Sequence, residues 1–276
     1  NNVPIESPFY PGKPLPYHYA FDFVVGLLER SGVRIDYALN GISVIFFTLL
    51  LYLIYHFSQL LFGKNMLLGL FSVGLFLFPS TLSFVEFFKN NTLSQIWYLP
   101  DYIHKGPFDG STISLFFTLN PFLNQRHLIV GMTVSLAILI VVVSRLIKSQ
   151  HLTSKTLFVF GIVLGLSTRI HSLVAFGTAV VVITLLMLFN RIKQMVPFAL
   201  SAFIFALPHI RDILHVASTK HPFFNPGYLV LRPLTLIGFF QFWWLNLGLS
   251  LVLIPVGYYF ASQKHRKVFL SFFLLF

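Results

Sequence analysis

Apolar runs of about 18 residues or more recur along this chain, divided by short polar connectors. A helix of that length crosses roughly 30 Å of hydrocarbon, where only internally hydrogen-bonded backbone is stable. Hydrophobic residues make up 56% of the sequence and charged residues 10%, far from the balance of a soluble domain. The predicted fold class is therefore all-α: a polytopic transmembrane helical bundle with an outer amphipathic surface helix. The runs fall at 42–62, 66–88, 127–144, 156–168 with 172–189, 195–208 and within 234–261, about seven membrane segments, some short or broken.

The charges orient these segments. All eight acidic residues lie in three stretches: Glu6, Asp22, Glu29 and Asp36; then Glu86, Asp101 and Asp109; then Asp212. The remaining connectors carry Lys64, Arg145, Lys148, Lys155, Arg191, Lys193, Lys264, Arg266 and Lys267 without a carboxylate. Short cytoplasmic loops retain Lys and Arg, so residues 1–41, 89–126 and 209–233 are expected on the outer face of a multi-pass cell-membrane protein. A single crossing over 156–189 would put Arg191 and Lys193 outside, together with Lys264–Lys267. A broken hairpin turning at Arg169–His171 keeps them inside.

The formal charge of +11 is dispersed between spans and forms no continuous basic stripe, which argues against a nucleic-acid partner. The absence of cysteine excludes disulfides, thiolate catalysis and Cys-ligated zinc. The opening Asn1-Asn2-Val3-Pro4 resembles neither a start nor a signal peptide, and 268–276 begin another apolar run. The chain reads as one membrane domain truncated at both ends. Residues 1–41 form an outer loop with the surface helix, 42–267 the transmembrane core, and 268–276 the start of a further span.

Four places concentrate polar groups. Pro16 can open a helix to about Arg30, on which His18, Asp22 and Glu29 fall within about 40° of one another; an imidazole one turn from a carboxylate can share a proton. Ala20, Phe21, Val24, Leu27 and Leu28 give that helix an apolar side suited to the membrane surface. Asn124, Gln125, Arg126 and His127 stand at a helix N-terminus at headgroup depth, where anions are favoured. Arg169 and His171 interrupt an apolar run. A cation there costs about 2.5–3.5 kcal/mol on the lenient insertion scale and usually faces a cavity or partner. Last, His209, Arg211 and Asp212 follow Pro208. No Walker loop, dinucleotide fingerprint, G-x-S-x-G elbow or H-E-x-x-H occurs.

The outer segment Ser7-Pro8-Phe9-Tyr10-Pro11-Gly12-Lys13-Pro14-Leu15-Pro16-Tyr17-His18-Tyr19 with Asp22, the break at Thr168-Arg169-Ile170-His171, and Phe242-Trp243-Trp244-Leu245-Asn246-Leu247-Gly248 together resemble GT-C glycosyltransferases. That superfamily uses polyprenyl- or dolichyl-phosphate sugars. The resemblance is diffuse and spans most of the chain. It implies inverting transfer from a polyprenyl-phosphate sugar to a glycan, lipid or protein acceptor, with membrane lipids as surroundings. It makes Asp22, His18 and Glu6 the candidate catalytic groups, although the family's acidic motif lies near the end of a first span, upstream of Asn1. Arg126, His127, Arg169, His171, Arg211, Asn124 and Gln125 become candidate substrate-binding residues. No cofactor is assigned; a divalent metal is left open, and no metal ligand is named. Rival readings are a transporter or flippase for a lipid-linked or anionic solute, which also uses broken helices, and a lipid-linked glycan ligase or polymerase.

Overall fold

A computed structural model describes residues 6–7, 10–14, 18–78, 82, 88, 92–98, 122, 124–216 and 235–273. Glu86, Asp101, Asp109, most of the loops 89–126 and 209–233, and the Glu6 side chain lie outside the described residues. The chain forms two compact units. The first comprises 1–69, 125–220 and 262–276; the second comprises 70–124 and 221–261.

In the first unit, the Pro/Gly-rich opening forms a small antiparallel pair, β1 (Glu6–Ser7) and β2 (Tyr10–Pro14). Helix α1 covers Ala20–Arg30, so it starts four residues after Pro16 and His18 precedes it. α1 buries Phe21 and Val25 against Ala38 and Val130, with Ile170 packed on the same cluster; Val24 and Leu27 point outward. α2 runs Ile35–Phe62 and begins ahead of the expected apolar start, where Arg34 pairs with Asp36 at 2.9 Å. α3 (Met66–Leu77) starts in the first unit and from Leu70 belongs to the second; the first unit continues with α4 (Arg126–Ile147), α5 (Ser154–Leu188) and α6 (Ile192–Val216). α6 continues past Pro208, where the sequence suggested an end. A proline removes one backbone donor, and neighbouring helices tolerate that loss in a membrane.

In the second unit, α7 (Leu236–Leu247) and α8 (Ser250–Phe260) meet at a 79° bend at Gly248. Gly248 has φ +51, which a side chain disfavours. Thr235 caps α7 by accepting from Gly238 N–H at 3.0 Å. The last helix, α9 (Gln263–Phe273), belongs to the first unit.

Four helices, α2, α4, α5 and α6, are long and apolar enough to cross a membrane, and α7–α8 makes a fifth if the bent pair is one span. The protein is thus an α-helical, multi-pass membrane bundle. Seven segments are not established, since α3 has only 12 residues, about 18 Å of helix.

α5 is not one straight crossing. Its 35 residues would extend about 50 Å if straight. Instead, Gln194 Nε2, just beyond its C-terminus, donates to the Leu152 carbonyl, just before its N-terminus, at 2.7 Å. The helix doubles back at His171, whose φ −158 and ψ 100 are extended rather than helical. The turn expected at Arg169–His171 is therefore present. α6 then runs parallel to the first half: Ser201 Oγ donates to the Phe158 carbonyl at 2.9 Å. A Cβ on Gly161 would collide with Ser201 and the Phe198 carbonyl, and one on Gly165 would lie 2.6 Å from the Ala202 carbonyl. Small residues at these two positions let the helices touch backbone to backbone.

This path sorts the charges. Lys264 Nζ donates to the Ile147 carbonyl at 2.7 Å and to Ser149 Oγ at 3.0 Å, and Lys267 lies over the Phe189 ring. The ends of α4 and α5 and the starts of α6 and α9 thus gather at one end of the first unit. At the opposite end, Arg126 Nη1 donates to Asn40 Oδ1 at 2.6 Å, beside α1.

Two outcomes test this packing. Cysteines at Leu152 and Gln194, in a chain otherwise free of cysteine, should be joined by a short bis-maleimide; a straight α5 would keep them apart. Gly161→Val should cost about 1–3 kcal/mol by overpacking, read as a lowered unfolding midpoint in detergent, whereas an unchanged midpoint would contradict the close α5–α6 approach.

Candidate functional site

The break in α5 frees backbone groups, of which His171 and His18 take up two, while the hydroxyls of Ser167 and Thr168 bond back within the first half. Ser167 Oγ donates to the Val163 carbonyl and Thr168 Oγ1 to the Gly165 carbonyl, each at 2.7 Å. His171 Nδ1 receives a long contact, 3.4 Å, from Val174 N–H, acting as a weak cap for the second half. The Thr168 carbonyl accepts a hydrogen bond from the His18 ring. The segment before α1 is thereby pinned to the turn of α5.

The turn abuts the start of α4, where a Cβ on Gly131 would meet His171 Cβ at 3.0 Å. Gly131 is five residues into α4, about 7 Å along its axis. The turn therefore lies near the end of the bundle rather than at its middle.

Four imidazoles converge there from four parts of the chain. His18 precedes α1, His127 opens α4, His171 is the broken residue of α5, and His209 follows Pro208 in α6. Ring centroids are 5.3 Å apart for His18–His127, 5.0 Å for His18–His171, 5.4 Å for His127–His171 and 5.9 Å for His18–His209. His127, His171 and His209 are buried, and His18 is partly so. Burial lowers the His18 pKa, and the Thr168 hydrogen bond only partly offsets this. The neutral ring is favoured, with a proton on the donating nitrogen and a lone pair on the other.

Arg169 lies beside this group, close enough to act electrostatically on His209. Its Nε is buried and, among the described residues, has no hydrogen-bond partner; nor does Arg169 pair with a described carboxylate. An orphaned buried donor costs about 1–3 kcal/mol, so among the described residues the site is short of an acceptor. Asp22 and Asp212 act on His127 and His209 respectively, and Asp22 is exposed.

The structure thus brings together His18, His127, Arg169 and His171, with Asp22 at the edge. Arg126 commits a donor to Asn40 instead. Arg211, Asn124 and Gln125 are exposed, and Gln125 caps α4 with its backbone alone. The separate polar groups read along the sequence did not reveal that the histidines form one cluster. The available signal was that, of the chain's ten histidines, these four each flank a helix end, a break or a proline on the acidic side.

Compared with known proteins, the chain matches no family model, no curated protein and no solved structure.

Proposed function

We propose that this protein is a membrane glycosyltransferase of the GT-C type. It moves a sugar from a polyprenyl-phosphate donor to an acceptor hydroxyl at the outer face. The observation that carries this reading is Arg169, half-buried at a helix break beside the histidine cluster, whose buried Nε has no acceptor among the described residues. An anionic headgroup on a lipid tail suits that place, because the tail can stay in hydrocarbon while its phosphate meets the guanidinium.

The transfer follows from these groups. Asp22, or the neutral imidazole of His18, takes the proton of the acceptor hydroxyl. The acceptor oxygen bonds to the anomeric carbon, and the bond from that carbon to the phosphate oxygen breaks. The electron pair leaves with polyprenyl phosphate, whose growing charge Arg169 stabilises. Inversion results because attack and departure occur on opposite faces.

A transporter for an anionic lipid or solute is the second reading, favoured by the same break and the same cation. The full-length protein, supplied with labelled polyprenyl-phosphate sugar and an acceptor extract, separates the two by release of polyprenyl phosphate. Arg169→Ala is expected to lower that release by about 100-fold or more, with insertion and yield unchanged. Unaltered turnover in the variant would remove Arg169 from the mechanism, and a wild-type protein that moves the donor without cleaving it would favour transport.

A further inference from the structure

We infer that His18, His127 and His171 form a binding site for a divalent transition-metal ion of the zinc class. One ligand nitrogen from each residue lies within 4.8 Å of the others. In a tetrahedral site with Zn–N bonds of about 2.0–2.1 Å, ligand nitrogens stand roughly 3.4 Å apart and ring centres about 5 Å apart. The three observed centroid separations, 5.0, 5.3 and 5.4 Å, already have that spacing. Ring rotation closes the nitrogens without moving a helix. Near-equal separations among three rings describe a triangle about a common centre, which pairwise stacking does not require.

The surroundings suit ligation. The His18 N–H donates to the Thr168 carbonyl, the outer-shell contact that fixes the tautomer of a metal-bound histidine and leaves the second nitrogen its lone pair. The Val174 contact to His171 Nδ1, at 3.4 Å, is too long to hold that ring against a metal. His209 adds a second observation. It is buried, its Nε2 has no hydrogen-bond partner among the described residues, and its ring lies 5.9 Å from His18. That orphaned nitrogen belongs to a fourth imidazole, outside the three that share the 4.8 Å spacing but packed against His18.

Chemistry selects the ion. Imidazole nitrogens suit zinc, copper, nickel or iron, whereas magnesium and calcium require oxygen. Three neutral imidazoles leave the ion its full charge, and Arg169 adds another positive charge nearby. The open position therefore takes an anionic oxygen. Metal binding stands apart from the sugar-transfer reading, since three imidazoles hold the ion whatever the substrate; with the ion bound, the lone pair of His18 is engaged and Asp22 is the base of that reading.

The test uses full-length protein, purified in detergent through a tag without histidine, stripped with chelator and then exposed to Zn²⁺ or Co²⁺. Elemental analysis should find about one ion per chain after desalting, and Co²⁺ should give the strong visible bands of a tetrahedral site. His18→Ala and His171→Ala should each weaken binding by at least about 100-fold, beyond the range seen for outer-shell partners. His56→Ala, on the exposed side of α2, should change nothing. His18 precedes α1, so its variant offers the cleaner comparison, with matched elution and helical circular dichroism as the folding check. Trace metal in the wild type, or equal retention by a folded His18→Ala protein, would overturn the site. Stoichiometric metal without sugar transfer would uphold it and count only against the transferase.

Discussion

A backbone amide in hydrocarbon must find its hydrogen-bond partner within the protein, and that demand shapes the helices of this molecule and the turn of α5. α5 leaves helical geometry at His171, and the groups freed there are taken up by side chains. His171 leans toward Val174 N–H, and His18 reaches across from another segment to the Thr168 carbonyl. The site residues are therefore also the structural repair of the break. Polar side chains in a membrane need a partner or a cavity, and here the break supplies partners for His18 and His171.

The doubling back has consequences at each end of the first unit. It returns the chain to the lysine-rich end, where Lys264 closes on the carbonyl end of α4, a cation placed where helix carbonyls are unsatisfied. It also leaves the opposite end to the histidines, Arg169 and the carboxylates of Asp22 and Asp212. Close packing holds the arrangement together. Gly161 and Gly165 let α6 lie directly on the first half of α5, and Leu157, Leu164, Val181, Val182, Leu185 and Leu186 bury one another across the two halves.

Much of this was legible in the sequence, and for identifiable reasons. Long apolar runs report helices because the bilayer allows little else, and the placement of Arg191 and Lys193 required the turn at Arg169–His171. Helix ends were less legible: α2 starts early behind the Arg34–Asp36 pair, α1 starts late, and α6 runs through Pro208. The site was visible as parts and hidden as a whole. Arg169 and His171 stood out against an apolar background, but the meeting of His18, His127, His171 and His209 depends on contacts between segments far apart in sequence. Arg126 shows the reverse. Its position at a helix start suggested a ligand, and the structure engages it with Asn40.

The central claim is that the histidine-rich end and the lysine-rich end face opposite sides of the membrane, with α5 returning to the side it left. Single cysteines replacing Asp22, Asp212, Gln150 and Lys193 in the otherwise cysteine-free chain test it directly in intact cells with a membrane-impermeant maleimide. The first two are expected to be labelled from outside and the last two only after permeabilisation. Labelling of Gln150 and Lys193 from opposite sides would contradict it.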